Sequence, residues 1–135
     1  MLGRIFRKIK NLFYKKSLSE NAKIGQLGED LASDFLKKKG FKILARNWRA
    51  RKSEIDLICK DAEVLVFVEV KTRAKNAKVG GYFSAVQHHK KAMVRAGAKA
   101  YMAKMRVRPK TFRFDVVVVE HSVQGNEVYH YQNVY

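Results

Sequence analysis

The chain of 135 residues is short of three things: it has one cysteine, one proline, and 12 acidic residues against 29 lysines and arginines. With Cys59 alone, no intrachain disulfide can form and a paired-cysteine zinc site is excluded. A cytoplasmic location is the expectation. Long apolar runs are missing as well, and none approaches the roughly 18 residues that cross a bilayer. The N-terminal stretch "MLGRIFRKIKNLFYKK" lacks the continuous apolar core of a secretory leader, because Arg7, Lys8 and Lys10 interrupt it. There is no internal repeat or low-complexity linker, and a chain of this length supports one domain with a real core but not two.

The scarcity of acid says most about partners. A net charge of +17 favours a polyanion, nucleic acid ahead of an anionic membrane surface. From Val70 to Phe114 there is no carboxylate and there are 13 bases. Arg73, Lys75, Lys78, Lys90 and Lys91 are the candidates for contacts to backbone phosphates. The alternative is a generally basic surface without an organised groove. Residues 1–18 form a basic extension in which Ile5, Ile9 and Leu12 fall near helical spacing. This segment reads equally as a nucleic-acid arm or as a solvated end, and membrane association through it is disfavoured.

A single α/β domain is expected over 19–135. Ile24, Leu27, Leu31 and Phe35 predict one apolar face of a helix from about Ser19 to Lys39, stopped by Gly40. Alternation over Phe41–Trp48 predicts a strand. A hairpin follows with strands near Glu54–Cys59 and Val64–Lys71, and then a second helix, rich in good helix formers, packs through Val86, Met93, Ala96/Gly97, Ala100 and Tyr101. "TFRFDVVVVE" predicts a strand apolar on both faces, which calls for helices over the sheet, and "EVYHYQNVY" predicts an edge strand. The order α-β-β-β-α-β(-β) implies a mixed central sheet flanked by helices.

The hairpin "SEIDLICKDAEVLVFVEVKTR" carries the chemistry. Side chains alternate along a strand, so Glu54 and Asp56 share one face and Glu69 and Lys71 share another. An antiparallel register that sets Asp56 opposite Glu69 also sets Glu54 opposite Lys71, which gathers all four on one face at the open end. Ile55, Leu57, Cys59, Val66, Val68 and Val70 are left on the other. Facing carboxylates repel. Either a divalent cation separates them, with oxygen-only ligands suiting Mg²⁺ or Mn²⁺, or the charges close into salt bridges such as Glu54 to Lys71. The residues alone leave these readings balanced.

The pattern Asp56-x12-Glu69-Val70-Lys71 on a hairpin behind a helix resembles the PD-(D/E)xK nuclease core of restriction-type endonucleases and Holliday-junction resolvases. More narrowly, "GQLGEDLASDFLKKKGFKILARNWR", "EIDLI", "LVFVEVKTR", a later V-x3-K helix and "RFDVVVV" resemble the bacterial YraN-like family in order and spacing, over about Gly25 to Val119. The resemblance implies a restriction endonuclease-like fold and a Mg²⁺-dependent DNA endonuclease acting on branched or structured DNA. Asp56, Glu69 and the Val70 carbonyl become metal ligands and Lys71 the catalytic lysine. Glu29 is the acid brought in from the first helix, Glu54 and Asp115 are supporting residues, and Lys90 is a phosphate contact. Ser53 departs from the glycine that this family commonly places before "EID", and Asp115 reads equally as a partner for Arg113. Two functions follow: a nuclease, which needs Asp56, Glu69 and Lys71 together, and a non-catalytic nucleic-acid-binding protein that retains the fold. A homodimer is left open, since resolvases of this type often act as symmetric dimers.

Overall fold

The computed structural model describes the backbone of residues 2–75 and 88–135, and the side chains of 19–75 and 91–135. Helix α1 (Leu2–Lys38) is continuous and so does not begin at Ser19 as its sequence pattern predicts. Residues 2–18 hold no proline, and their lysines, arginines and leucines are good helix formers, so nothing there stops the helix. It ends where expected. Gly40 adopts φ +96°, the Phe41 amide reaches the Leu36 carbonyl at 3.0 Å, and the Gly40 amide reaches that of Lys37 at 3.0 Å. This is the Schellman pattern, closed by contact between Phe41 and Leu36.

Five strands follow: β1 (Lys42–Ala50), β2 (Ser53–Asp61), β3 (Val64–Ala74), β4 (Phe112–Ser122) and β5 (Gly125–Tyr131), with α2 (His88–Lys104) between β3 and β4. They make one sheet in sequence order. Every pair is antiparallel except β3–β4, which is parallel because α2 carries the chain back. The helices lie on opposite faces. Leu57, Cys59, Val66, Val68, Val117 and Val119 pack towards Ala32 and Leu36 of α1, while Ile58, Phe67 and Phe114 pack towards Ala98 and Tyr101 of α2. Val116 to Val119 are all buried, as a strand covered on both faces must be. This α/β architecture, with its mixed five-stranded sheet, matches the restriction endonuclease-like fold and the expected element order. No helix among the described residues is long and apolar enough to cross a membrane.

The buried stripe of α1 is shifted by one residue from its predicted position. Ile24 and Leu27 are 39% and 52% exposed, whereas Ala32 and Leu36 are buried. Gly28 explains the shift: a Cβ there would lie 1.9 Å from Thr72 Oγ1. The helix rests on β3 through its bare and small residues, and the larger Leu31 and Phe35 flank the contact. On α2 the buried positions are Gly97, Ala98 and Tyr101, with Val94 and Met102 beside them. Ala96 is exposed. Val86 lies outside the described residues.

Candidate active site

The predicted register is present, but the ladder stops before it reaches the charges. Cys59 faces Val66 and Leu57 faces Val68, and the pairing ends there. Continued, it would set Asp56 against Glu69 and Glu54 against Lys71; instead β2 leaves β3 and continues along β1 only. The side-chain alternation changes at the same point. Leu57 belongs to the α1 side and Ile55 to the α2 side, although they are two residues apart. On the adjacent β1, Asn47 takes φ +50°, a left-handed conformation that asparagine tolerates better than most residues. The expected face of Ile55, Leu57 and Cys59 is thus broken at Asp56.

The separation of β2 from β3 opens a cleft of about 510 Å³. Asp56 and Glu54 line it from β2, Glu69, Val70, Lys71 and Thr72 from β3, and Glu29 with Gly25 from α1. Four carboxylates and one lysine predicted for the site therefore share one cavity. Asp56 replaces the missing ladder bond: its Oδ2 accepts the Val70 amide at 2.8 Å. The N–H and C=O of one residue in a strand point to the same edge, so the Val70 carbonyl also faces the gap left by β2.

The electrostatics of the cleft are set by crowded acid. Burial, and then the negative charges of Glu29, Glu69 and Glu54, push the Asp56 carboxyl up to about 6, with the Val70 amide opposing them. The other carboxylates are held by cations. Lys71 Nζ is 3.2 Å from Glu69 Oε1, and the Tyr135 hydroxyl lies 3.5 Å from Glu69 Oε2. Arg49 binds Glu54 at 3.1 Å, and Arg46 sits 4.0 Å from Glu29 while bonding Asp30 at 2.6 Å. Lys71 thus pairs with its own strand neighbour rather than with Glu54. Among the described residues, no three side chains of His, Cys, Asp or Glu are already gathered closely enough to hold a metal ion. The donors are nevertheless all oxygens, which suits a hard cation such as Mg²⁺ or Mn²⁺.

The remaining predicted residues are scattered. Asp115 is buried outside the cleft, where it accepts from Arg113 Nε at 3.0 Å and from the Asn133 amide at 2.9 Å, and lies 2.8 Å from His130 Nε2. It is a structural partner of Arg113, not a member of the acidic cluster. Arg73 is engaged by Glu120, with Nε at 3.0 Å, and Lys75 faces Glu127 at 3.8 Å. Neither is turned to the cleft. Lys91 Nζ lies 5.8 Å from the centre of the Tyr135 ring. Lys78 and the side chain of Lys90 lie outside the described residues. Among the described residues Arg95, Lys99, Lys104, Arg106, Arg108 and Lys110 enter no ion pair, and neither do Lys23, Lys37, Lys38, Lys42, Arg51 and Lys52, so uncommitted positive charge lies on α2 and the turn after it and equally on α1, the start of β1 and the β1–β2 turn.

Sequence reasoning missed Arg46 and Tyr135 at the site. Arg46 lies within the quoted stretch that ends "ILARNWR" but nothing in its spacing marks a role, Tyr135 lies beyond the quoted motifs, and only the fold brings β1 and the C-terminus to the cleft. Ser53 also has a role: its hydroxyl donates to the Met93 carbonyl at 2.8 Å, and its Cβ lies 3.0 Å from where a Gly97 Cβ would be. It ties the start of β2 to α2.

Comparison with known proteins bears out the YraN-like resemblance. The family model described as "Uncharacterised protein family UPF0102" matches residues 28–119, which span β1 to β4 and every predicted ligand. A UPF0102 protein of Symbiobacterium thermophilum is 44% identical over 103 residues, covering 76% of this chain and 86% of that protein. One from Dictyoglomus thermophilum is 38% identical over 105 residues, covering 78% and 88%. One from Geobacter metallireducens is 36% identical over 115 residues, covering 85% and 93%.

Proposed function

We propose that this chain, which belongs to the uncharacterised protein family UPF0102, is a Mg²⁺- or Mn²⁺-dependent DNA endonuclease with resolvase-like active-site chemistry. The observation that carries the reading is the meeting of Asp56, Glu69, Lys71 and Glu29 in one cleft at the point where β2 leaves β3. Asp56 and Glu69, with the Val70 carbonyl, are the residues that would hold the ion. A bound cation would offset phosphate charge and lower the pKa of water. It would also offset the burial, and then the neighbouring negative charges, that now favour the protonated form of Asp56.

The chain's own groups do the rest. Val70 N–H fixes one oxygen of Asp56, so that carboxylate is held in place before any ligand arrives. Lys71 and Glu69 are paired at 3.2 Å, which puts the Lys71 ammonium beside a residue that would hold the ion, where it would meet the negative charge that develops on a phosphate under attack. The exposed bases of α2 supply the electrostatic attraction for the DNA backbone.

A second reading, a nucleic-acid-binding protein that has the fold but does not cleave, is favoured by one observation: each carboxylate of the cleft except Asp56 already faces a cation. One experiment separates them. Linear duplex, single-stranded and branched DNA are incubated with the protein in Mg²⁺, Mn²⁺ or EDTA, beside Asp56→Ala and Lys71→Ala. The expected result is metal-dependent cleavage that falls at least about 100-fold in both variants, the scale on which loss of one electrostatic stabiliser acts. Cleavage that persists in both, or proceeds in EDTA, sinks the proposed site. Binding without cleavage in every condition selects the second reading.

A further inference from the structure

A second cavity, of about 360 Å³, lies between α2 and the start of β4, and its chemistry is unlike that of the cleft. Its walls are the rings of Phe112, Phe114 and Tyr135 with the Met102 thioether, and its rim carries Arg95 and Lys99. No carboxylate lines it. Phe112 is 47% exposed, although aromatic side chains of its size are normally buried deeper. Its ring meets Phe67 and Phe114 edge-on, at 6.3 and 6.0 Å. Arg95 and Lys99 are exposed and enter no ion pair among the described residues. The cavity falls within the ordinary range for small-ligand sites, about 300–1,000 Å³.

Tyr135 links this cavity to Glu69 of the acidic cleft. One side of the residue lines the aromatic cavity, with its ring 5.7 Å from that of Phe114, while its hydroxyl reaches Glu69 at 3.5 Å. A flat apolar ligand with a nearby negative charge satisfies the rings and the bases together, and a nucleotide has that composition. We propose that the aromatic cavity formed by Phe112, Phe114 and Tyr135 receives the base of an unpaired nucleotide, with Arg95 and Lys99 holding its phosphate. A base inside a duplex is stacked and paired and cannot enter without being extruded. The site therefore selects DNA with a single-stranded nucleotide next to the strand in the cleft, such as an overhang, a flap or a junction arm. This choice of substrate class rests on the nuclease reading, whereas the capture of the base does not.

The test measures binding in EDTA, so that it does not depend on cleavage. The probes are a single-stranded 12-mer with a central 2-aminopurine, the same strand with abasic sites around its centre, and a 12-mer duplex. The variants are Phe112→Ala, Phe112→Trp and Arg95→Gln with Lys99→Gln. Phe112→Ala is expected to weaken single-strand binding about tenfold, within the range for loss of one stacked base, and to abolish the 2-aminopurine quenching. Duplex and abasic binding should change less than about twofold. Phe112→Trp should restore both readouts, and the double glutamine variant should weaken binding while the quenching persists at saturation. Equal losses on all three probes, or no quenching by the wild-type protein, overturn the base pocket. Metal-dependent cleavage with an unaltered Phe112→Ala overturns it while leaving the nuclease reading intact. Base-selective binding without cleavage under any metal does the reverse.

Discussion

Asp56, half-buried, and Asp115, buried, are carboxyls on the same sheet, and their surroundings treat them in opposite ways. Asp115 lies in a closed knot. Its two oxygens meet Arg113, His130 and the Asn133 amide, Arg113 continues to Asp61 at 3.0 Å, and Lys39 Nζ lies 2.9 Å from the other nitrogen of His130. This pattern assigns the Nε2 proton to the bond with Asp115 and leaves Nδ1 to accept from Lys39. Burial disfavours the Asp115 charge, but those bonds outweigh it and hold the carboxyl below its ordinary range. Asp56 has a single amide as its fixed partner and three carboxylates for neighbours, and its carboxyl is pushed up to about 6. Charge satisfied within the protein is structural; charge assembled without compensation is free to be completed by a ligand.

Breaking the knot should have the largest effect. Asp115→Asn turns one acceptor oxygen into a donor that faces Arg113 or His130, and leaves the largely buried Arg113 guanidinium with Asp61 and half of its former partner. Destabilisation of about 3–5 kcal/mol is expected, the range for removal of one member of a buried ion pair, read from the urea midpoint at unchanged slope. A loss under about 1 kcal/mol would show that the knot is surface-like. Next in size is the contact that sets the cleft wall. Gly28→Ala gains about 1 kcal/mol of helix propensity, but its Cβ meets Thr72 Oγ1 at 1.9 Å, and overpacking of this kind costs about 1–3 kcal/mol. A net loss of up to about 2 kcal/mol is expected. Gly25→Ala, where a Cβ meets nothing within 4 Å, is the control and should gain up to about 1 kcal/mol. If the two variants behave alike, α1 is not seated on Thr72.

Much of this contrast is legible in the residues. The element order follows from apolar period, from Gly40 as a helix stop and from the valine run of β4, because local pattern and burial agree there. The register of the hairpin follows from its turn and its apolar set, and the paired part matches the arithmetic that set Asp56 against Glu69. The point at which the pairing ends was not legible. A separation of strands depends on the α1 contact at Gly28, the Asn47 conformation and the Ser53 bond to α2, none of which a linear pattern encodes. Asp115 shows the same limit: "RFDVV" shows an acid in a strand, but His130 and Asn133, its partners, come from β5 and the C-terminal residues after it. The buried face of α1 departs from its pattern of large apolar residues because close approach of a helix to a sheet favours small ones, here Gly28 and Ala32.

The sharpest contrast comes from Asp56, because the sign of the expected effect is opposite to that at Asp115. Asp56→Asn keeps an oxygen to accept from Val70 N–H and removes the charge that burial, and then Glu29, Glu69 and Glu54, oppose. In EDTA near pH 7.5 the variant should therefore be more stable than wild type, by about 1–2 kcal/mol, the linkage energy of a carboxyl pushed up to about 6 and discounted for its partial exposure. The pH dependence fixes the cause. In wild type the folded state holds a proton on Asp56 up to about pH 6, while the unfolded chain releases it near the ordinary carboxylate value. The folded state thus binds more protons in that interval, and stability falls as pH rises through it. The advantage of Asp56→Asn should open between about pH 4 and 6 and stay level above. Asp115 runs the other way: its contribution is present above the ordinary carboxylate value and is lost as pH falls below it. Millimolar Mg²⁺ at pH 7.5 should then stabilise wild type and leave Asp56→Asn unchanged, since an ion that binds only the folded state raises its stability by mass action. Thermal melts with and without Mg²⁺ across this pH range read both effects. A variant less stable than wild type in EDTA would mean that the cleft, like the knot, is a satisfied structural cluster.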